Sequence, residues 1–188
     1  MKKSIGQQTL VYPHPVFIIG TNDIKNKPNI MAVSWGGICC SKPPCIAISL
    51  RAATYTHQSI MLNKAFTVNI PSSKYVKEAD YVGIVSGRDT DKFKETGLTP
   101  VQCENINAPY IKEFPISLCC ELLKVVEIGL HTQFIGEILD VLVDDNILDE
   151  SGKPDLQLVN PICYDSATKS YYGISDYILK GFTMKSLK

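Results

Sequence analysis

Short apolar runs separated by proline, glycine and asparagine recur along this chain and constrain its fold more than any other feature. One run covers residues 16–20, a turn-rich segment occupies residues 22–29, and an extended pattern resumes at residues 30–35. Apolar runs of about four to eight residues bounded by turn-forming residues are typical of β-strands. The first two runs therefore predict a β-hairpin.

The same pattern continues to the end of the chain. Further strands are predicted at residues 45–50, 66–70, 116–123 and 132–143, and a final hairpin at residues 164–172. Gly136 lies inside one of these runs, where a glycine often marks a bulge or a close approach. Helices are predicted only at residues 56–62 with Thr56 as N-cap, after a cap at Ser72 or Ser73, and as one turn at residues 91–95. Many strands with few helices predict a mainly β fold, a closed β-barrel forming a single domain over residues 1–188.

Composition excludes several classes of protein. The chain has 45% hydrophobic residues, and its 19 Lys and Arg balance its 19 Asp and Glu. Disordered proteins have low hydrophobicity and high net charge, and nucleic-acid binders usually carry an excess of basic residues. No apolar stretch reaches the roughly 18 residues of a membrane span, and residues 4–9 are polar where a signal peptide is apolar. We expect a cytoplasmic protein with no membrane or nucleic-acid partner.

Seven cysteines need an explanation. They are Cys39, Cys40, Cys45, Cys103, Cys119, Cys120 and Cys163. Structural zinc sites usually need two closely spaced pairs, and adjacent cysteines on a strand point to opposite faces. We therefore predict no metal site and interpret the cysteines as buried, reduced thiols that pack as small hydrophobes. The role of the three cysteines at positions 39–45 stays open.

The common cofactor and nucleophile fingerprints are missing from the sequence. There is no G-x-G-x-x-G, no G-x-S-x-G and no H-E-x-x-H, and Gly152-Lys153 is followed by Pro154 rather than by a Walker A hydroxyl. A bound cofactor would therefore use another kind of site.

Three segments carry chemistry. Residues 29–36 form an extended stretch of small and apolar side chains. This stretch is either a surface that lies against a flat heteroaromatic ring or an ordinary barrel strand. Residues 49–57 place an arginine and several hydroxyls before a helix, which suits a phosphate or is simply a capped helix. Residues 86–93 combine glycine, serine and lysine, either as a phosphate-binding loop or as a polar connection.

The order of these segments resembles a known family. The matching motifs are Pro13-x-Pro15-Val16, Gly20-Thr21, residues 29–35, Pro43-Pro44, Ser49-x-Arg51, Tyr55-Thr56, Phe66-x-Val68-Asn69-x-Pro71, residues 86–89, residues 91–93, residues 97–99, Ala108-Pro109 and Gly129-x-His131 with Ile135-Gly136-Glu137. The series is similar to the flavin reductase-like family of FMN-binding split barrels, most closely to its flavoredoxin-type members. The resemblance covers about residues 10–145.

The resemblance implies a fold, a cofactor and a site. It implies a split β-barrel of the Greek-key type, with a core at about residues 10–145 and a C-terminal β extension at 146–188. The protein would form a homodimer and bind FMN near the subunit interface. The implied cofactor-binding residues are Asn29, Met31, Val33, Ser34, Trp35, Ser49, Leu50, Arg51, Tyr55, Thr56, Ser86, Gly87 and Lys92. His131 would face the flavin as the one candidate catalytic side chain, and the alternative is an ordinary core or turn histidine.

The function implied is that of an FMN-binding oxidoreductase. It would be either an NAD(P)H-dependent flavin reductase, with NADH or NADPH as electron donor, or a flavoredoxin-type carrier that takes electrons from a redox partner protein. The alternative is a non-catalytic split-barrel module that senses or binds another ligand, such as haem or F420. Haem would need an axial histidine, and only His57 or His131 is placed to supply one.

Overall fold

The computed structural model describes residues 1–174 and 176–181. The strands are β1 His14–Pro15, β2 Phe17–Asn22, β3 Pro28–Val33, β4 Gly36–Ser41, β5 Pro44–Arg51, β6 Ala65–Ile70, β7 Pro100–Gln102, β8 Pro109–Ile111, β9 Ile116–Ile128, β10 His131–Val143, β11 Ile162–Asp165 and β12 Ser170–Gly173. The helices are α1 Tyr55–Asn63, α2 Val76–Ile84, α3 Lys92–Thr96 and α4 Leu156–Val159, with single 3₁₀ turns at Ser73–Tyr75 and Asp145–Ile147.

Seven strands form one antiparallel sheet in the order β3-β2-β6-β9-β10-β5-β4. The edge strands β3 and β4 are separated in the chain by Ser34 and Trp35 alone. The sheet must therefore curl until its two edges meet, which makes it a barrel. At this junction the Trp35 carbonyl accepts a hydrogen bond from the Ser49 N–H at 2.8 Å. The mainly β barrel predicted from the sequence is confirmed.

Two apolar clusters hold the structure together. One fills the barrel interior and includes Phe66 and Phe134, both fully buried. The other lies between the barrel wall and the helices α2 and α3, and includes Ile18 and Val82. The predicted irregularity at Gly136 is confirmed, because the register between β9 and β10 shifts there. A Cβ at this position would lie 2.6 Å from the Phe66 ring, so the close approach is made by a core side chain and not by a ligand.

Both predicted hairpins are present. The strands β2 and β3 pair from Phe17 opposite Val33 to Asn22 opposite Pro28. The strands β11 and β12 pair with each other, and β11 also pairs with β1 to form a small second sheet. The part of the predicted C-terminal extension at residues 175 and 182–188 lies outside the described residues.

The start of helix α1 differs from the prediction. Thr54, not Thr56, occupies the N-cap position. Thr56 lies buried within the first helical turn, and its hydroxyl accepts a hydrogen bond from the Asn29 side-chain amide at 3.0 Å. The predicted cap at Thr56 is wrong because a distant strand residue, Asn29, engages that hydroxyl.

The later helices give one correction and one confirmation. Neither Ser72 nor Ser73 caps α2, because a 3₁₀ turn comes first and Tyr75 takes the N-cap position. The turn predicted at residues 91–95 is confirmed as α3, where the Asp91 carboxylate accepts the Lys94 N–H at 3.2 Å. No helix among the described residues is long and apolar enough to cross a membrane.

The cysteines differ from the prediction in two respects. Cys103 and Cys119 are joined in a disulfide with a Cα–Cα distance of 6.8 Å, because Cys119 faces the loop after β7 while Cys120 faces the barrel interior. The prediction of reduced thiols is therefore wrong for this pair. Cys39 and Cys40 are exposed, since they lie on an edge strand, so the prediction of burial is wrong for them. Within the described residues, no group of three or more His, Cys, Asp or Glu side chains could hold a metal ion.

Candidate functional site

A cleft lies beside the barrel where β3 and β5 end and α1 begins. It consists of two cavities, each of about 250 Å³, and both are lined by Met31 and Thr54. Because they share these two residues, the cavities lie next to each other, and we describe them together as one cleft with two ends. One end is mostly apolar, and the other contains buried positive charge.

The apolar end gathers most of the residues that the sequence indicated. Its lining includes Met31, Val33, Ser34, Trp35, Ser49, Leu50, Arg51 and His131. His131 and Arg51 are register partners on β10 and β5, so their backbones lie side by side at this end of the barrel. These residues, which the sequence grouped as one candidate site, line one cavity. The pairing of His131 with Arg51 was not predicted from the sequence.

Trp35 is supported by a residue that the sequence analysis missed. The imidazole ring of His14 stacks on the indole with centroids 5.4 Å apart and an interplanar angle of 9°. The His14 ring is itself buried, and its Nε2 lies 3.3 Å from the Ser166 hydroxyl. The stack fixes the plane of the indole, which remains 39% exposed and lines the cavity.

Two tyrosines from the C-terminal hairpin complete the apolar end. Tyr164 and Tyr171 line the cavity, and their ring centroids are 5.2 Å apart. The Tyr171 hydroxyl donates to the Asp80 carboxylate at 3.0 Å, and burial together with this contact raises the pKa of Tyr171. The tyrosine-rich C-terminus was the only signal in the sequence that could have pointed to them.

The polar end brings together most of the residues predicted for a phosphate, but not Arg51, which lines the apolar end. Tyr55, Thr56, Ser86, Gly87 and Lys92 line the polar end, together with Arg88, which the site prediction omitted. Asn29 does not line the cavity, but it contacts two residues that do, Thr56 and Gly87. Its amide donates to Thr56, and a Cβ on Gly87 would collide with its side chain. Any side chain at position 87 would therefore displace the Asn29 side chain that contacts Thr56.

Lys92 is the main electrostatic feature of the polar end. Its side chain is only 5% exposed, and its ammonium donates to the Val82 carbonyl at 2.7 Å. No carboxylate of the described residues forms an ion pair with it, and burial lowers its pKa to about 8. A buried ammonium with only one neutral acceptor is costly. The site therefore favours an anion beside Lys92.

The neighbours of Lys92 leave its charge available. The adjacent Asp91 carboxylate is paired with Lys27 at 3.0 Å. The Tyr55 hydroxyl donates to Asp23 at 2.8 Å and is therefore already engaged. The Arg88 guanidinium lies over the Tyr55 ring, 5.5 Å from its centroid, and adds a second positive charge at this end. The Thr56 hydroxyl accepts from Asn29 and keeps its own hydrogen for a ligand.

His57 does not belong to the cleft. Its Nε2 lies 3.0 Å from the Thr132 hydroxyl, and its ring packs edge-on against Phe134 at the barrel core. Burial lowers the pKa of His57. His131 is thus the only histidine among the described residues that lines either cavity.

A family model described as "Flavin reductase like domain" matches residues 9–168 of this chain. The chain belongs to the flavin reductase-like family. Flavoredoxin of Desulfovibrio vulgaris (Miyazaki F) is 50% identical with a TM-score of 0.94, covering 97% of this chain and 98% of that one. A flavoredoxin from Methanosarcina acetivorans is 32% identical with a TM-score of 0.91, covering 97% and 96%.

The barrel is also shared with a more distant protein. An FMN-binding protein from Thermus thermophilus is 20% identical with a TM-score of 0.82, covering 96% of this chain and 99% of that one. This likeness shows the fold alone. Together the comparisons confirm the family resemblance and the split-barrel fold that it implied.

Proposed function

We propose that this flavin reductase-like protein binds FMN in the cleft and works as a flavoredoxin-type electron carrier. The observation that carries the proposal is the buried Lys92, which has no carboxylate partner among the described residues and lies at the end of a cleft whose other end is apolar and aromatic. The two ends of flavin mononucleotide match the two ends of the cleft, since FMN has a flat ring at one end and a phosphate dianion at the other. The 50% identity to a flavoredoxin supports the same proposal.

At the polar end, the chain's own groups suit a phosphate. The Lys92 ammonium and the Arg88 guanidinium supply charge, while the hydroxyls of Thr56 and Ser86 supply neutral donors. The first turn of α1, a helix of nine residues, also lines this cavity and adds backbone N–H groups that favour an anion. Arg51 lies at the apolar end, so we assign it to the chain between ring and phosphate together with Ser49.

At the apolar end, the chain would orient the ring and tune it. When bound, FMN supplies the electron or hydride chemistry. Ser34 and Trp35 connect β3 to β4 and belong to neither strand. Their N–H groups can therefore stabilise negative charge at the polar edge of a ring. Val33 and Leu50 exclude water from the same cavity, and His131 offers a further donor at its rim.

Anaerobic mixing tests the proposal. The purified protein should be yellow and release FMN on denaturation, and its flavin absorbance should persist when NADH or NADPH is added without oxygen. Dithionite should then bleach it fully, which serves as the control for an accessible flavin. Rapid bleaching by either nicotinamide would assign an NAD(P)H:flavin reductase instead. A colourless protein that does not bind added FMN would overturn the flavin site itself.

A homodimer belongs to the same proposal. Apolar side chains stand exposed on the paired strands β9 and β10, and they are Leu123 at 57%, Ile128 at 55%, Leu139 at 44% and Val141 at 48%. Exposed apolar patches of this kind mark interaction surfaces. We expect sedimentation equilibrium to give twice the chain mass. Leu123→Glu should shift the protein towards monomer, whereas Leu62→Glu on α1, similarly exposed, should not. A wild-type monomer at all concentrations would contradict this expectation.

A further inference from the structure

The hairpin formed by β4 and β5 gathers three cysteines at the end that lies away from the cleft. Cys40 pairs with Cys45, and the register shifts between Ile38 and Cys40, so Cys39 is an extra residue in β4. In a bulge of this kind, two successive residues oppose a single residue of the partner strand. Cys39 therefore has no register partner and lies next to the Cys40–Cys45 pair.

The pair formed by Cys40 and Cys45 has the geometry of a disulfide precursor. Directly paired residues of an antiparallel ladder have Cα atoms about 4.5–5.5 Å apart. Disulfides span Cα distances of about 4.4–6.8 Å. Burial first, and then the neighbouring thiols of Cys40 and Cys39, raise the pKa of the Cys45 thiol, which places these sulfur atoms within interaction range of one another.

The two thiols differ in accessibility. Cys40 is exposed, whereas Cys45 is 2% exposed. A reagent in solution therefore meets Cys40 first, and Cys45 can react only with a sulfur that the hairpin presents to it. This is the usual arrangement of an attacking thiol beside a resolving thiol.

The other cysteines are less suited to this chemistry. Cys120 is fully buried, and its pKa is raised to about 12 by burial and by Cys45. Cys103 and Cys119 are already joined to each other. Cys163 lies on β11, in the other sheet.

We propose that Cys40 and Cys45 form a reversible disulfide across the hairpin by exchange with a low-molecular-weight disulfide of the oxidised-glutathione type. The Cys40 thiolate attacks one sulfur of that disulfide, whose S–S bond breaks and releases one thiolate. The Cys45 thiol then loses its proton and attacks the Cys40 sulfur, which releases the second thiolate. Two protein thiols are oxidised to one disulfide, and the small disulfide is reduced to two thiols. A dithiol reductant reverses both steps.

This redox site is separate from the proposed FMN site. Cys45 precedes Ser49 by four residues on β5, which is about 13 Å at ~3.3 Å per residue. None of the three hairpin cysteines lines either cavity of the cleft. Substitution at Cys39 or Cys40 should therefore leave the FMN content of the purified protein unchanged.

The test uses the full-length protein, reduced and then freed of reductant. It is incubated with oxidised glutathione, alkylated at the remaining thiols and digested without reduction for peptide mapping. Wild type and Cys39→Ser should give the Cys40–Cys45 linked peptide and lose alkylation at both positions. Cys40→Ser should leave Cys45 fully alkylated, and dithiothreitol should restore alkylation at both sites in wild type. Cys39→Ser is the matched control, since its side chain is also exposed and adjacent.

Three results would overturn the proposal. The first is a stable glutathione adduct on Cys40 with Cys45 still alkylated, and the second is a Cys45–Cys120 link. The third is a link between Cys39 and either neighbour in wild type. FMN content is measured on the same samples before oxidation. Failure of the cysteine proposal can therefore be told apart from failure of the proposed FMN site.

Discussion

Replacing Lys92 with methionine is expected to weaken FMN binding by about tenfold to 150-fold, which corresponds to the ~1.5–3 kcal/mol of a charge-assisted hydrogen bond. Methionine keeps an unbranched apolar stem in the buried position and removes only the charge and its donors. Because the ammonium has no carboxylate partner among the described residues, the phosphate would be its only counter-charge. Isothermal titration of the FMN-free protein measures the effect.

Two controls isolate the phosphate contact. Riboflavin carries the same ring without the phosphate, so its affinity should be nearly equal in wild type and Lys92→Met. Lys94→Met removes a charge from the same helix at an exposed position and should leave FMN affinity within about twofold. Unchanged FMN affinity in Lys92→Met would show that the phosphate lies elsewhere. An equal loss for riboflavin would show that the substitution damages the whole cleft.

The same lysine predicts a pH dependence. Burial lowers the pKa of Lys92 from 10.5 to about 8 in the FMN-free protein. FMN affinity of wild type should therefore fall as the pH rises above about 8, and this fall should be missing in Lys92→Met. The unfolded chain binds the proton more tightly than the folded one, so between about pH 8 and 10.5 this group makes the FMN-free protein more stable as pH rises.

The residues of the cleft were largely predictable because they lie in short segments with local patterns. The strand ending in Ser34 and Trp35 and the loop at Ser86 and Gly87 each have a composition that suits one part of the ligand. Residues 31–35 line the apolar end and residues 86–88 line the polar end. Residues 49–57, which the sequence assigned to a phosphate as one segment, are divided between the two ends, with Ser49 and Arg51 at the apolar end. The order of motifs supplied the remaining information, since it pointed to one barrel in which they converge.

What the sequence did not predict depends on contacts between distant parts of the chain. His14 stacks on Trp35, and Tyr171 reaches Asp80, over separations that no local periodicity records. The start of α1 was misplaced for the same reason, because Asn29 occupies the hydroxyl of Thr56. The bulge that leaves Cys39 without a register partner also depends on a second strand, since only the pairing of β4 with β5 reveals it.

Gly20 provides the strictest test of the barrel itself. It lies on β2 between β3 and β6, where it pairs with Ile30 on one side and Thr67 on the other. A Cβ at this position would collide with the backbone oxygen of Pro109 and with the Thr67 hydroxyl. That hydroxyl donates to the same Pro109 carbonyl at 2.6 Å, so the added methyl group would also disturb a buried hydrogen bond.

Gly20→Ala is therefore expected to lower the free energy of unfolding by about 3 kcal/mol, the upper end of the range for overpacking, because a strand bonded on both sides cannot move aside. Gly37→Ala is the matched control, since Gly37 lies on the edge strand β4 and a Cβ there meets nothing within 4 Å. Its effect should stay within about 0.5 kcal/mol. Urea unfolding of the FMN-free proteins should show a lower midpoint at an unchanged slope for Gly20→Ala alone. Equal midpoints for wild type and Gly20→Ala would mean that strand β8 shifts at Pro109 to accept the methyl group, and that the contact of Gly20 with Pro109 and Thr67 does not constrain the barrel.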